Sequence, residues 1–387
     1  MRPGLLFAVK IPDMSRIVSI DALRGFDMLL LCGGAAVLKL WLQWQWGAGV
    51  PDWGMAQFEH AEWGGAFTCW DLVMPLFIFI TGASMPFAFA KYRRDGAPYH
   101  RVRVLWRVLR RVVLLFVLGM LVQGNLACAR PEHMHLFCNT LQAIAMGYLV
   151  AAVVLMCRSS LRVQLSVCAA CLVSYWALLR FVPYNGQPGG LFEPHNNLAI
   201  YLDHYLQGHL QDGTPYSWIL TTLSFGALTL MGCISGQVIG ELRGWRAVGV
   251  LVGGGGCCLL AALLLELDTP LIKHIYTTTC VLWAGGWCML LLALFHLLFD
   301  CCGTAVARLA YPLQVIGCNA LLAYLLTEVH GPHGHSLWWG VAHPLVYGLA
   351  NVAAEPAGGA FVHALLSLLL LWCVLWFLYR HRAFLRV

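Results

Sequence analysis

Residues 66–90 read AFTCWDLVMPLFIFITGASMPFAFA, an unbroken apolar run with a single charge, Asp71, close to its start. A bilayer core about 30 Å thick takes roughly 20 apolar residues of helix. Inside it every backbone polar group must be satisfied by the segment itself, so a run of this kind predicts a membrane-spanning helix. The pattern recurs along the chain, at 19–42, 104–123, 139–157, 161–182, 217–239, 245–265, 277–299, 309–328 and 359–379. With 66–90 this gives ten spans. An eleventh stretch, SLWWGVAHPLVYGLA (336–350), is short and holds Pro344 and paired Trp, which predicts an interfacial or re-entrant segment.

The bulk composition agrees. The 387 residues are 60% hydrophobic and 11% charged, with mean hydropathy +0.72; soluble domains carry roughly 25% charged residues, so a soluble globular enzyme is excluded. The expected fold is all-α and polytopic, one transmembrane domain over 1–387 embedded in a lipid bilayer. The opening MRPGLLFAVKIPDMSR has too short an apolar stretch for a cleaved signal, so the N-terminus is expected to be retained. The most basic loop, KYRRDGAPYHRVRVLWRVLRR (91–111), and the tail RHRAFLRV (380–387) belong in the cytoplasm by the positive-inside rule. Ten spans then place both termini there, segment 1–18 included, and put loops 43–65, 124–138, 183–216, 266–276 and 329–358 outside, in the periplasm of a bacterial inner-membrane protein. The net charge of +6 is topology in this reading, not nucleic-acid binding. Most of the sixteen Cys lie in apolar runs and act as small hydrophobes, whereas Cys128 and Cys138 flank an external loop where a disulfide can form. A homo-oligomer stays open, because lipid-facing and partner-facing apolar surfaces look alike in composition.

Ionisable groups within spans are costly and usually functional. In SIDALRGFDM (19–28), Asp21, Arg24 and Asp27 recur every three residues, which predicts one side of a helix facing the bundle interior. Asp21 and Arg24 fit an interfacial ion pair; Asp27 lies deeper and is a catalytic candidate. The loop EHAEW (59–63) runs into the span that carries Asp71. A histidine beside carboxylates suits general-base work on an amine or hydroxyl, so His60 is the candidate base, with Asp71 orienting it and Glu59, Glu62 and Trp63 contacting substrate. A solvated loop histidine is the plain alternative. Arg107, Arg110 and Arg111 sit at the cytoplasmic mouth of the third span and, with Arg24, can hold phosphates; equally, they can be topology anchors. His330, His333 and His335 in EVHGPHGHS have no nearby Cys and only Glu328 as a close carboxylate, so no metal is assigned. Gln142 and Asn319 are deep polar groups that bond between helices or line a cavity, and Asn319 is a candidate substrate contact.

The strings RIVSIDALRGFDM, EHAEWGGAFTCWDLVMPLFIFITGAS, LQAIAMGYLVAA, NNLAIYLDHYL, PLIKHIYTTTCVLWAGGWCMLLLALF, IGCNALLAYLLTE and LYRHRAFL occur in this order over nearly the whole chain. Together they resemble the heparan-alpha-glucosaminide N-acetyltransferase family, whose bacterial members include NagX-like inner-membrane proteins. The resemblance implies a transmembrane acyltransferase that takes acetyl-CoA from the cytoplasm and acetylates the amine of an amino sugar or glycan on the far side. It also implies a catalytic histidine in an external loop, followed by a Trp and an Asp-Leu-Val span; His60, Trp63 and Asp71-Leu72-Val73 match. The family's Asn, eleven residues after the Arg of Arg-Gly, is here Ala35, which leaves Asp27 or Asp71 to supply that polar group. His60 acts either as a base for direct transfer or as an acetyl relay, and direct transfer gains more from proximity. The alternative expectation is an inner-membrane transporter of amino sugars or muropeptide fragments, which also uses midplane charges and discontinuous helices.

Overall fold

The computed structural model describes residues 17–90, 101–126, 133–157, 160–242, 244–330, 335–350 and 356–385. They form sixteen helices: α1 (Val18–Leu29), α2 (Ala35–Trp46), α3 (Asp52–Ala56), α4 (Cys69–Ala90), α5 (Arg101–Val122), α6 (Thr140–Cys157), α7 (Leu161–Phe181), α8 (Leu198–Gln207), α9 (Thr222–Glu241), α10 (Trp245–Leu265), α11 (Thr278–His296), α12 (Thr304–Ala307), α13 (Tyr311–Cys318), α14 (Ala320–Glu328), α15 (Leu337–Ala350) and α16 (Pro356–Arg380). Among the described residues β-structure is confined to isolated bridges. The protein is an all-α, multi-pass membrane protein.

Eight helical segments are long and apolar enough to cross a membrane, and a bent pair makes a ninth. Helix α5 accounts for the difference from ten. It has the length, 22 residues, but Arg101, Arg103, Arg107, Arg110 and Arg111 charge its first half. The first span is kinked: α1 and α2 meet across Leu30–Gly34, where Gly33 leaves helical geometry at φ +125°. The run 309–328, expected as one straight span, is instead broken: α13 and α14 meet at Asn319 with a 59° bend. Segment 336–350 is the regular helix α15, whose 14 residues rise about 21 Å and so fall short of the bilayer core. It packs on α16, where the Trp338 indole donates to Ser367.

Helices α4, α6, α9 and α11 are the most enclosed. Lipid supplies no hydrophobic drive between apolar helices, so close approach depends on small residues. A Cβ on Gly82 of α4 would overlap the Thr229 carbonyl oxygen of α9, and Cβ atoms on Gly232 and Gly236 of α9 would overlap the carbonyls of Phe79 and Ala83. In the GGGG run (253–256) of α10, only Gly255 meets a neighbouring backbone, at Gly286 of α11; a Cβ at Gly253 has open space. Gly82→Ala is therefore expected to destabilise the protein by about 1–3 kcal/mol, while Gly253→Ala leaves stability unchanged. Thermal midpoints in detergent read both.

Candidate active site

Helix α4 begins with a reciprocal cap. Thr68 precedes its first residue, Asp71 sits three positions on, the Asp71 amide donates to Thr68 Oγ1 at 3.3 Å, and the Thr68 amide donates to Asp71 Oδ2 at 3.2 Å. This is the capping-box arrangement with Asp in the acidic position. Oδ2 also accepts the Ala61 amide at 3.2 Å, and Thr68 Oγ1 donates to the Glu59 carbonyl at 2.7 Å, which fixes the loop that carries His60. The cap occupies Oδ2 and leaves Oδ1 for other partners.

Two side chains meet at Oδ1. His60 Nδ1 lies 3.0 Å from it, and Lys273 Nζ donates to it at 2.9 Å. Lys273 Nζ is also 2.8 Å from His60 Nδ1, so the three groups form a closed triangle. Asp71 and Lys273 are buried, whereas the His60 side chain is 52% exposed, which leaves the opposite end of its ring open. Lys273 comes from the turn between α10 and α11. There Thr277 caps α11, accepts the Ile272 amide and donates to the Pro270 carbonyl. Burial holds the Lys273 ammonium below the ordinary lysine range, against the pull of Asp71. Next to it, His274 stacks between Trp63 (5.1 Å) and Tyr216 (4.8 Å), and burial with the Lys273 charge lowers its affinity for a proton. Trp63 is pinned by a 2.8 Å bond from its indole to the Phe192 carbonyl.

Two cavities enter the bundle from opposite ends. The first, about 510 Å³, is bounded by Asp21, Arg24, Ser84, Ala88, Arg111 and Phe384, among others. The second, about 520 Å³, holds His60, Trp70, Asp212, Tyr216, Lys273 and Glu328. Along α4 the second cavity takes Trp70, Val73, Met74 and Phe77, and the first takes Phe77 through Ala88. From Val73 to Ala88 is about 22 Å of helix axis. Phe77, Thr140 and Tyr324 line both cavities and form the wall between them. Tyr324 is held there by donating to Asn139 Oδ1 (3.0 Å), and Asn139 donates to Gln123 (2.9 Å).

The expected site residues separate accordingly. His60 and Asp71 come together. Arg24 and Arg111 line the first cavity, Arg24 3.5 Å from Asp21 and Arg111 over the Tyr148 ring at 4.4 Å. Arg107 and Arg110 are exposed on α5 and line neither cavity. Asp27 also lines neither: it is fully buried, with no hydrogen-bond partner for either oxygen. Six helical residues at about 100° each turn it 120° away from Asp21, so the expected single face of Asp21, Arg24 and Asp27 does not hold. Glu59 pairs with Lys39 at 2.8 Å and points away from the second cavity; Glu62 is exposed; Trp63 reaches the site only through His274. Asn319 lines neither cavity; its side chain bonds the tail at the Ala383 carbonyl (3.1 Å) and the Leu385 amide (3.2 Å). Gln142 caps α6, accepting the Cys138 and Asn139 amides. Among the described residues no group of three His, Cys, Asp or Glu is placed to hold a metal; His333 and Cys128 lie outside the described residues. Lys273 had no assigned role in the sequence, although a lone Lys within PLIKHIY is a charge in an apolar turn.

Over residues 16–200 the chain matches a family described only as a domain of unknown function, DUF5009. The matched segment holds His60 and Asp71 and stops before Lys273. No curated protein matches the chain.

Removing one member of a buried ion pair costs about 3–5 kcal/mol. Asp71→Ala is expected to lower stability by that order, and Lys273→Met in the same chain to recover part of it, read as thermal midpoints in a double-mutant cycle. Losses from Asp71→Ala and Lys273→Met that simply add in the double variant would show the pair uncoupled. The second expectation concerns pH. The folded protein disfavours a proton on His274 that the unfolded chain accepts, so stability falls as pH drops below about 6.5. His274→Phe keeps the ring stack and should flatten that decline.

Proposed function

We propose that the protein is a transmembrane acetyltransferase of the bacterial inner membrane, carrying acetyl from cytoplasmic acetyl-CoA to the amine, or hydroxyl, of a periplasmic amino sugar or glycan. The observation that carries this reading is the pair of cavities from opposite ends that share the wall of Phe77, Thr140 and Tyr324, one with Arg24 and Arg111, the other with His60 and Lys273, both held from behind by Asp71. Arginine suits the phosphates of CoA, and the α4 face from Phe77 to Ala88 gives the length an extended pantetheine arm needs. The acceptor side offers rings for a sugar face, Trp70, Tyr216 and Trp218, and carboxylates for an ammonium group, Asp212 and Glu328. His60, with Nδ1 turned to Asp71 and Lys273, presents Nε2 as a base for direct attack of the acceptor on the thioester, or as the acetyl relay. Bringing both substrates to one wall provides the proximity that transfer needs.

A transporter of amino sugars or muropeptide fragments is the second reading, favoured by the broken span at Asn319, since discontinuous helices are common at transport sites. CoA release by the purified, detergent-solubilised protein, given acetyl-CoA and a panel of amino sugars, separates the two. Release that requires an acceptor and falls by about 10²-fold or more in His60→Ala is the expected result. Arg111→Gln should raise KM for acetyl-CoA with little effect on KM for the acceptor. Uptake of labelled sugar into vesicles without acetyl-CoA, and no CoA release from any sugar, would overturn the enzyme in favour of the transporter.

A further inference from the structure

His60 Nδ1 has room for one proton or one lone pair, yet it faces two groups that need opposite things. Asp71 Oδ1, at 3.0 Å, requires a hydrogen on Nδ1. Lys273 Nζ, at 2.8 Å, brings hydrogens of its own and requires the lone pair. Lys273 is not free to withdraw: it is buried, and among the described residues its anionic partner is the same carboxylate oxygen, at 2.9 Å. A His–Asp pair alone favours the imidazolium, because a carboxylate beside the ring stabilises the added charge. Here the carboxylate is already matched by an ammonium group that also lies against the ring.

We propose that Lys273 sets the protonation state of His60: its cation, held by Asp71 against Nδ1, opposes the imidazolium and keeps His60 neutral at pH values where the His60–Asp71 pair alone would hold the extra proton. Lys273 is thus a positioning residue that acts through His60. Of the two neutral tautomers, the one with hydrogen on Nδ1 facing Asp71 leaves the Nε2 lone pair on the open end of the ring; in the other, Lys273 donates to Nδ1 and Nε2 carries the hydrogen. The triangle therefore also sets how much of the ring is ready to accept a proton at Nε2. Other titratable groups around this point are His274 from the same turn, Tyr216 from the segment before α9, and His135, Cys138, Asp212 and Glu328 across the cavity; Glu59 is taken up by Lys39. Among the charged side chains of the described residues, only Asp71 and Lys273 are within hydrogen-bond reach of the His60 ring.

The consequence for turnover rests on His60 as the base, but the protonation state does not, so the test needs no acceptor. Diethyl pyrocarbonate acylates unprotonated imidazole nitrogen, and its rate at His60, followed by peptide mass spectrometry against pH, reports the neutral ring. In Lys273→Met the midpoint is expected to move to higher pH by about one unit or more, about a tenfold slower reaction at a pH below both midpoints. Lys273→Gln, which keeps a donor for Asp71 without the charge, should move it the same way and serves if the Met variant does not fold. Lys39→Met, which removes the other cation of this region, should leave it in place. An unchanged midpoint in folded Lys273→Met or Lys273→Gln would overturn the proposal. If the acetyltransferase reading holds, the acidic limb of CoA release with acetyl-CoA and glucosamine shifts in parallel; a shift in acylation without any CoA release would retain the Lys273 assignment and reject the enzyme instead.

Discussion

The carboxylate of Asp71 joins three parts of the chain at one point. Through Oδ2 it completes the cap of α4 and holds the Ala61 amide, so the loop before the helix is tied to the helix start. Through Oδ1 it receives Lys273, 202 positions away, and with it the turn between α10 and α11. An isolated carboxylate enclosed in protein near a membrane surface would be expensive. Two backbone amides and an ammonium group offset that cost, and the His60 ring is then oriented by the same oxygen. Loop, helix start and turn depend on this one group more than on any apolar contact between them.

Given that anchor, the packing of the bundle positions the two cavities around it. The close approach of α4 to α9 through Gly82, Gly232 and Gly236 sets the position of the α4 face that both cavities share. The wall across that face is polar on one side, where Tyr324 and Asn139 bond, and apolar on the other, where Phe77 stands. A transport reading asks the same wall to open; an acyl-transfer reading asks only that it remain.

Much of this was legible in the sequence, and the failures have physical causes. Span count follows from hydropathy because lipid permits few alternatives to helix, and α5 is the exception only because its arginines interrupt the apolar run. His60 with Asp71 was legible because the histidine loop runs straight into the span that carries the carboxylate, eleven residues on. Lys273 was not, since a contact across 202 residues leaves no mark in either segment. Asp27 misled because three-residue spacing drifts around a helix by 60° per step: Asp21 and Arg24 share a cavity, but Asp27 does not. Arg107 and Arg110 lie exposed outside both cavities, and charge at a helix mouth serves topology as readily as binding.

Asn319 shows how a local break draws in a distant segment. A bend of 59° within a span frees backbone groups that lipid cannot satisfy. The residue at the bend is an amide side chain, able to donate and accept at once. It spends both capacities on the chain's tail, donating to the Ala383 carbonyl and accepting the Leu385 amide. Phe384 and Leu385 are thereby laid against the cavity that contains Arg24 and Arg111. The tail is part of that cavity's wall, and the bend that looks like a defect in α13 and α14 is what fastens it there.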